Sequence, residues 1–447
     1  MAPYASARLA VAVTMVLGLV AAAGPAGAAE PGRTPLGRAT VSGPLPGTVP
    51  GDPRSPDVRD TYPFFSTTDD LAAVGYVEQE FVVSGAADAY DTAGNQVATG
   101  VPFRTRVVVR RPVHQVRFSG TALVEWQNVT AGYDLDALWD ADAITRAGHA
   151  WIGVSAQRVG VDQLRGWSPA RYGDLDVTGG GRFTADELSY DIYAQAAAAV
   201  TEGPAMGGLR VRTTLAVGAS QSAGRMTVYY QSILPKVAPV FDGYAFIVGT
   251  APTRAGAEPV FQVLSETDVR TPQRPADTDG FRRWEVAGAA HSGWRGQQYR
   301  APISVRDLGA APQYTCGSPP FSRVPLDHVV AAAYEHLVRW VRRGTPPPVA
   351  PPLLFNADGT KTRDALGLAA GGIRLSQVSV PTALNTGDNT GETFCRLFGT
   401  HQPFDAATLD RLYPHRTGYL AKVVLADLAN VRAGYLLPAD AWQNLTG

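Results

Sequence analysis

The sequence predicts an α/β protein with a mostly parallel central sheet flanked by helices and a loop-rich C-terminal extension. Three observations carry this. Short apolar runs alternate with helix-compatible segments from Thr121 to Arg343, the pattern of βαβ units with helices on both sheet faces. One such run, Thr214-Leu-Ala-Val217, leads into Gly218-Ala219-Ser220-Gln221-Ser222-Ala223-Gly224, and a helix-compatible run, Met226 to Leu234, follows. The chain has 447 residues and is 45% apolar, which supports a large core and excludes global disorder.

Taken in order, residues 1–29 read as a secretory signal peptide. Arg8 begins it, Leu9 to Ala23 is its apolar stretch, and Ala26-Gly27-Ala28 fits small-residue cleavage. Residues 30–62 form a Pro/Gly-rich arm or linker, 63–347 an enzyme-like core and 348–447 an extension packed on it. Val74–Val83 and Phe103–Val109 are expected as peripheral antiparallel strands. The second alternates arginine with apolar residues, as an outer strand with one wet face does. Strands are expected at Thr121–Trp126, His149–Ser155, Thr214–Val217, Val240–Val248, Val260–Leu264 and Arg283–Val286. Helices are expected at Leu135–Ala147, Glu187–Val200, Leu326–Arg343, Asp405–Tyr413 and Lys422–Arg432.

Net charge is −1, and only Lys236, Lys361 and Lys422 are lysines. No basic stripe exists to recruit nucleic acid or an anionic membrane, and no later stretch is long enough to span a bilayer once the signal is cleaved. The two cysteines, Cys316 and Cys395, lie in loop-like contexts. In an exported, extracellular protein an even count favours a disulfide. Closing a loop of about eighty residues contributes roughly 4–5 kcal/mol in the chain-entropy account. No cofactor and no metal site are expected: there is no CxxC and no HExxH pattern.

The chemistry centres on Ser220. Strand, small-x-Ser-x-small, then helix is the layout of a sharp turn that lifts a serine hydroxyl clear of a sheet. A second frame, with Ser222 as the nucleophile, also has small neighbours. Farther along, Val260–Leu264 ends in Ser265-Glu266-Thr267-Asp268. Either carboxylate can orient an imidazole; Asp268 suits a loop acid, and Glu266 is its rival. Next, Trp284-Glu-Val-Ala-Gly-Ala-Ala-His291 places a histidine after a strand and a small-residue turn. His291 is preferred over His114 and His149, which precede the serine, over His328 and His336 on a helix, and over His401 and His415 in the extension. The N–H of Gln221 and one from the Asn128–Val129 loop are the candidate oxyanion donors. Glu125, odd in an apolar strand, either braces that loop or pairs with an arginine.

The elbow resembles the Gly-His-Ser-Gln-Gly-Gly elbow of many α/β-hydrolases, and the order Ser…Asp/Glu…His matches theirs. More closely, the chain resembles a family of exported bacterial α/β-hydrolase domain proteins. Phe103–Pro112, Val124-Glu-Trp-Gln-Asn-Val129, the elbow, Ser265–Asp268, Trp284–His291 and Pro403-Phe-Asp405 carry that resemblance. Ser222 replaces the glycine usual two residues past the nucleophile. A weaker similarity is to glucuronoyl esterases, whose elbow has arginine where Gln221 stands here. The resemblance implies the α/β-hydrolase fold and a Ser/acid/His triad, but no substrate. Ester hydrolysis through an acyl-enzyme is the expected activity, on a small-molecule or cell-wall polymer ester. A non-catalytic exported binding protein on the same scaffold is the alternative. The sequence leaves the oligomeric state open.

Overall fold

The structure is a computed structural model that describes residues 33–47, 61–392 and 394–446. The expected signal peptide lies outside the described residues, as do residues 30–32 and 48–60 of the arm. Among the described residues nine strands form the central sheet: β1 (Thr40–Ser42), β2 (Tyr76–Tyr90), β3 (Gln96–Pro112), β4 (Thr121–Trp126), β5 (Ala150–Val154), β6 (Thr213–Ala219), β7 (Gly243–Ile247), β8 (Val260–Ser265) and β9 (Phe281–Val286). Their spatial order is β1-β2-β3-β5-β4-β6-β7-β8-β9. Every pairing from β5 to β9 is parallel, while β1, β2 and β3 run antiparallel at one end.

Side chains alternate between the two faces of each strand. β4 sends Ala122, Val124 and Trp126 to one apolar cluster and Leu123 to the other. β6 sends Ala216 to the first and Leu215, Val217 and Ala219 to the second. Both faces are therefore dry, which is why these strands read as continuous apolar runs. The first cluster gathers α2 (Arg158–Trp167), α3 (Pro169–Tyr172), α4 (Ser189–Thr201) and α5 (Gln221–Val228); the second gathers α1 (Ala141–Ala147) and α7 (Leu326–Arg343). Between α5 and α7 comes α6 (Trp294–Leu308).

Five expectations need correction. Of the arginines of β3, Arg104 stays partly exposed beside Asp174, but Arg106 and Arg110 do not face water. Arg106 pairs with buried Glu80, and Arg110 reaches Glu78 at 2.7 Å and Asp136 at 2.6 Å between the rings of Trp139 and Trp151. Glu78 and Arg110 are register partners across the hairpin, so strand pairing supplies the counter-charge that lets an arginine be buried. The helix expected from Leu135 starts only at Ala141, because Asp140 accepts from Ala143 N and caps it. The helix after the elbow begins at once, at Gln221. α6 was hidden by Gly296 and by Pro302 inside it. The arm is not irregular throughout: it contributes β1, the outermost strand of the sheet.

The C-terminal extension joins the body without a break in the core. Ile373 bridges to Val286 in parallel beyond β9, and Leu353, Leu368, Ile373 and Val378 share an apolar cluster with Trp284. It adds a small hairpin, β10 (Ala383–Thr386) and β11 (Thr400–Pro403), and helices at Ala406–Leu412 and Arg416–Ala433. Cys316 and Cys395 form a disulfide with Cα atoms 5.4 Å apart across 79 residues. Among the described residues no helix is long and apolar enough to cross a membrane.

Candidate active site

Ser220 sits at the carboxyl end of β6 with φ 56° and ψ −114°, a conformation that costs a non-glycine residue about 1–3 kcal/mol. The surroundings enforce it. Ser220 N donates to Ile247 O at 2.9 Å. A Cβ on Gly218 would lie 3.2 Å from Ala223 N, and one on Gly249 only 2.9 Å from Ser220 O. Close approach thus leaves no room for a larger residue at Gly249 and little at Gly218. Ser222 is fully buried; its hydroxyl accepts from Ala219 N at 3.0 Å and donates to Ala219 O at 2.9 Å. It straps the turn from inside and does not line the cavity that Ser220 lines.

The histidine stands on the loop after β9. His291 Nδ1 lies 2.8 Å from Asp268 Oδ1, both side chains 12% exposed. Asp268 is fixed in turn by Ser265, whose Oγ donates to its Oδ2 at 2.6 Å. His291 N donates to Thr267 Oγ1, and Thr267 Oγ1 donates to Gly387 O. Glu266 points elsewhere: fully buried, it accepts from Arg363 Nη2 at 2.7 Å and from Gly288 N at 2.6 Å. Two carboxylates two residues apart in a strand-end turn thus face different neighbours.

The loop after β4 meets the elbow through a side chain. Asn128 Nδ2 donates to Ala219 O at 2.9 Å, while its Oδ1 accepts from Thr130 N. Gln221 turns its amide to Gln157, and Val129 lies buried beside Asn128; neither side chain forms part of the cavity wall. Among the described residues no arginine pairs with Glu125. Trp151 Nε1 donates to it at 2.8 Å and Leu138 N at 3.2 Å. Burial, with the charge of Asp136 second, pushes its carboxyl up to about 8.

Ser220, His291 and Asn128 open on one cavity of about 530 Å³. Tyr133 and Trp294 line it, as does Arg300 on α6; Trp126 and Trp284 are core. The extension contributes Phe394, Leu397 and Phe398 to the wall, whereas the Gln157–Tyr172 stretch does not reach it. Of these groups, the Asn128 strap, the Ser265–Asp268 bond and Arg300 were not read from the sequence. Only the Ser-x-x-Asp spacing of the second carried a local signal.

The chain matches the family described as alpha/beta hydrolase domain over residues 41–446 and belongs to it. No match was found among curated proteins. Among solved structures it is similar to esterase Est22 at 8% identity, covering 44% of this chain and 67% of that one, TM-score 0.28. It is similar to the rice cell wall degrading esterase LipA from Xanthomonas oryzae at 13% identity, covering 41% and 47%, TM-score 0.24. LpqC, a poly(3-hydroxybutyrate) depolymerase from Bordetella parapertussis, is 14% identical, with coverage of 47% and 88% and TM-score 0.27. The chain spans about half the length of LipA.

Proposed function

We propose that this alpha/beta hydrolase is an exported serine esterase that works through an acyl-enzyme. The observation that carries the reading is the 2.8 Å contact of His291 Nδ1 with Asp268, on the cavity where Ser220 stands at its strained turn. In this reading Asp268 holds the imidazole so that Nε2 is the base. His291 takes the Ser220 proton as Oγ bonds to the acyl carbon. The tetrahedral oxyanion is held by the N–H of Gln221, first in α5 and therefore without an intrahelical acceptor, and by an N–H of the Asn128–Val129 stretch. The C–O bond to the alcohol breaks, and the alcohol leaves with the proton from His291. Water then gives a proton to His291 and attacks the acyl carbon, freeing the acid and restoring Ser220. Export rests on the signal-like N-terminal sequence and on the disulfide, which persists in oxidising compartments.

A fluorophosphonate probe tests the reading. Labelling mapped to Ser220 and abolished in Ser220→Ala, with turnover of short p-nitrophenyl esters, is expected. Absence of both labelling and turnover would leave the binding-protein alternative.

A further inference from the structure

We propose that the cavity receives an ester carrying a carboxylate, and that Arg300 is the group that binds this anion; this rests on Ser220 being the nucleophile. Arg300 projects from α6 into the wall that His291 and Ser292 also line. Its Nη2 donates to Ser292 Oγ at 2.8 Å, which uses one of five guanidinium donors. Among the described residues no carboxylate lies within 4.0 Å of it. The carboxylate that acts on it most, Asp136, is already engaged by Arg110 and Tyr299, each at 2.6 Å.

Other arginines differ: buried Arg111 also lacks a carboxylate among the described residues, but its guanidinium is spent on Ala205 O, Pro112 O and Gln79 Oε1, away from the cavity. Arg106, Arg110 and Arg171 each close on carboxylates, and Arg295, also on the cavity wall, lies 2.6 Å from Asp327. Burial works against the charge of Arg106 and Arg110, yet their carboxylates outweigh it and raise their pKa. For Arg300 burial wins and the pKa is lowered. Arg323, over the Trp294 ring at the exposed rim, also has no acidic partner among the described residues. A partly buried guanidinium without counter-charge is costly, and a planar carboxylate is the ligand that matches its fork. The remaining wall there is aromatic, with Tyr133, Tyr314 and Phe398, which suits the carbon skeleton of a mid-sized acid ester.

Calorimetric titration of Ser220→Ala with monoethyl glutarate and diethyl glutarate isolates binding from turnover. The monoester is expected to bind at least about tenfold tighter at low ionic strength, with the gap narrowing as salt is added. Arg300→Gln in the same background is expected to collapse the gap to about twofold, and Arg300→Lys to retain part of it. Equal binding of the two esters, or a gap that survives Arg300→Gln, overturns the proposal. If circular dichroism shows Arg300→Gln unfolded, the salt series and Arg300→Lys decide the matter: a salt-insensitive gap, or one that Lys leaves at full size, rejects it. Turnover of p-nitrophenyl butyrate by the wild type keeps the two readings apart. Turnover without preference for the anion sinks only the role of Arg300, whereas no turnover and no Ser220 labelling sinks the esterase.

Discussion

The serine half and the histidine half of the site are held by different means. Ser220 is fixed by the elbow and the end of β7: Ser222 straps Ala219 from inside, Gly218 and Gly249 permit the close approach, and Ser220 N bonds Ile247 O. Asn128, from the loop after β4, adds a tie to Ala219 O. His291 and Asp268 depend on the C-terminal extension. Thr267 bonds Gly387 O, Ser292 N bonds Leu397 O, and Glu266 beside them is pinned by Arg363. A strained turn held by the neighbouring strands faces an acid–base pair braced from more than a hundred residues along the chain.

The largest effects test whether both halves serve one reaction. Ser220→Ala should lower kcat by on the order of 10⁵–10⁶-fold on p-nitrophenyl esters, with the fold intact by circular dichroism. Asp268→Asn should cost on the order of 10⁴-fold, because the imidazole loses the partner that fixes its tautomer. Glu266→Gln should leave kcat within a few-fold while destabilising the protein by about 2 kcal/mol, since a buried carboxylate that answers Arg363 and Gly288 N is lost. Comparable kcat losses in the two acid variants would erase the distinction the geometry draws between them.

Reduction of the disulfide strikes the histidine half alone. Cys395 opens the short helix Cys395–Phe398, which carries the Leu397 carbonyl that holds Ser292 N. Cys395→Ser should lower stability by about 4 kcal/mol, as a long loop is released in the unfolded chain. It should also reduce kcat roughly 10–100-fold through misplacement of the histidine loop. Fluorophosphonate labelling depends on His291 as well, so its rate should fall with kcat. A variant with lower melting temperature but unchanged kcat would show that the extension braces the fold and not the site.

The same division governs what was legible in the sequence. The elbow, the strands around it and α7 follow from local patterns: small residues at fixed offsets, apolar runs, a clean amphipathic helix. His291 and the two acids were legible by order along the chain, but the choice between Asp268 and Glu266 turned on Arg363, far along in a loop with no periodicity. Arg106 and Arg110 misled because alternation reports which residues are charged, not whether a neighbouring strand brings Glu78 opposite Arg110 and Glu80 within reach of Arg106. Arg300 was hidden on a helix whose glycine and proline argue against a helix.

Raising the pH should probe the serine half, through Glu125. Its carboxylate receives Leu138 N and Trp151 Nε1 and so anchors the far end of the loop that carries Asn128. Burial lifts this carboxyl to about 8 from the ordinary value of 4.5. Between those values the native state keeps a proton that the unfolded chain has released. Unfolding therefore releases a proton, and stability falls as pH rises, by up to about 1.4 kcal/mol per pH unit from this group. The stabilisation is fully present below pH 4.5 and is lost as pH rises through 8. Other buried carboxyls, Asp134 and Asp191 among them, are raised as well, so the informative quantity is the difference between wild type and Glu125→Gln. Urea denaturation from pH 5 to 8 should show the variant with the shallower decline, overtaking the wild type toward pH 8. Parallel slopes would mean that Glu125 is charged in the native state throughout, and that the loop behind Ser220 is held by an ionised carboxylate without a cation.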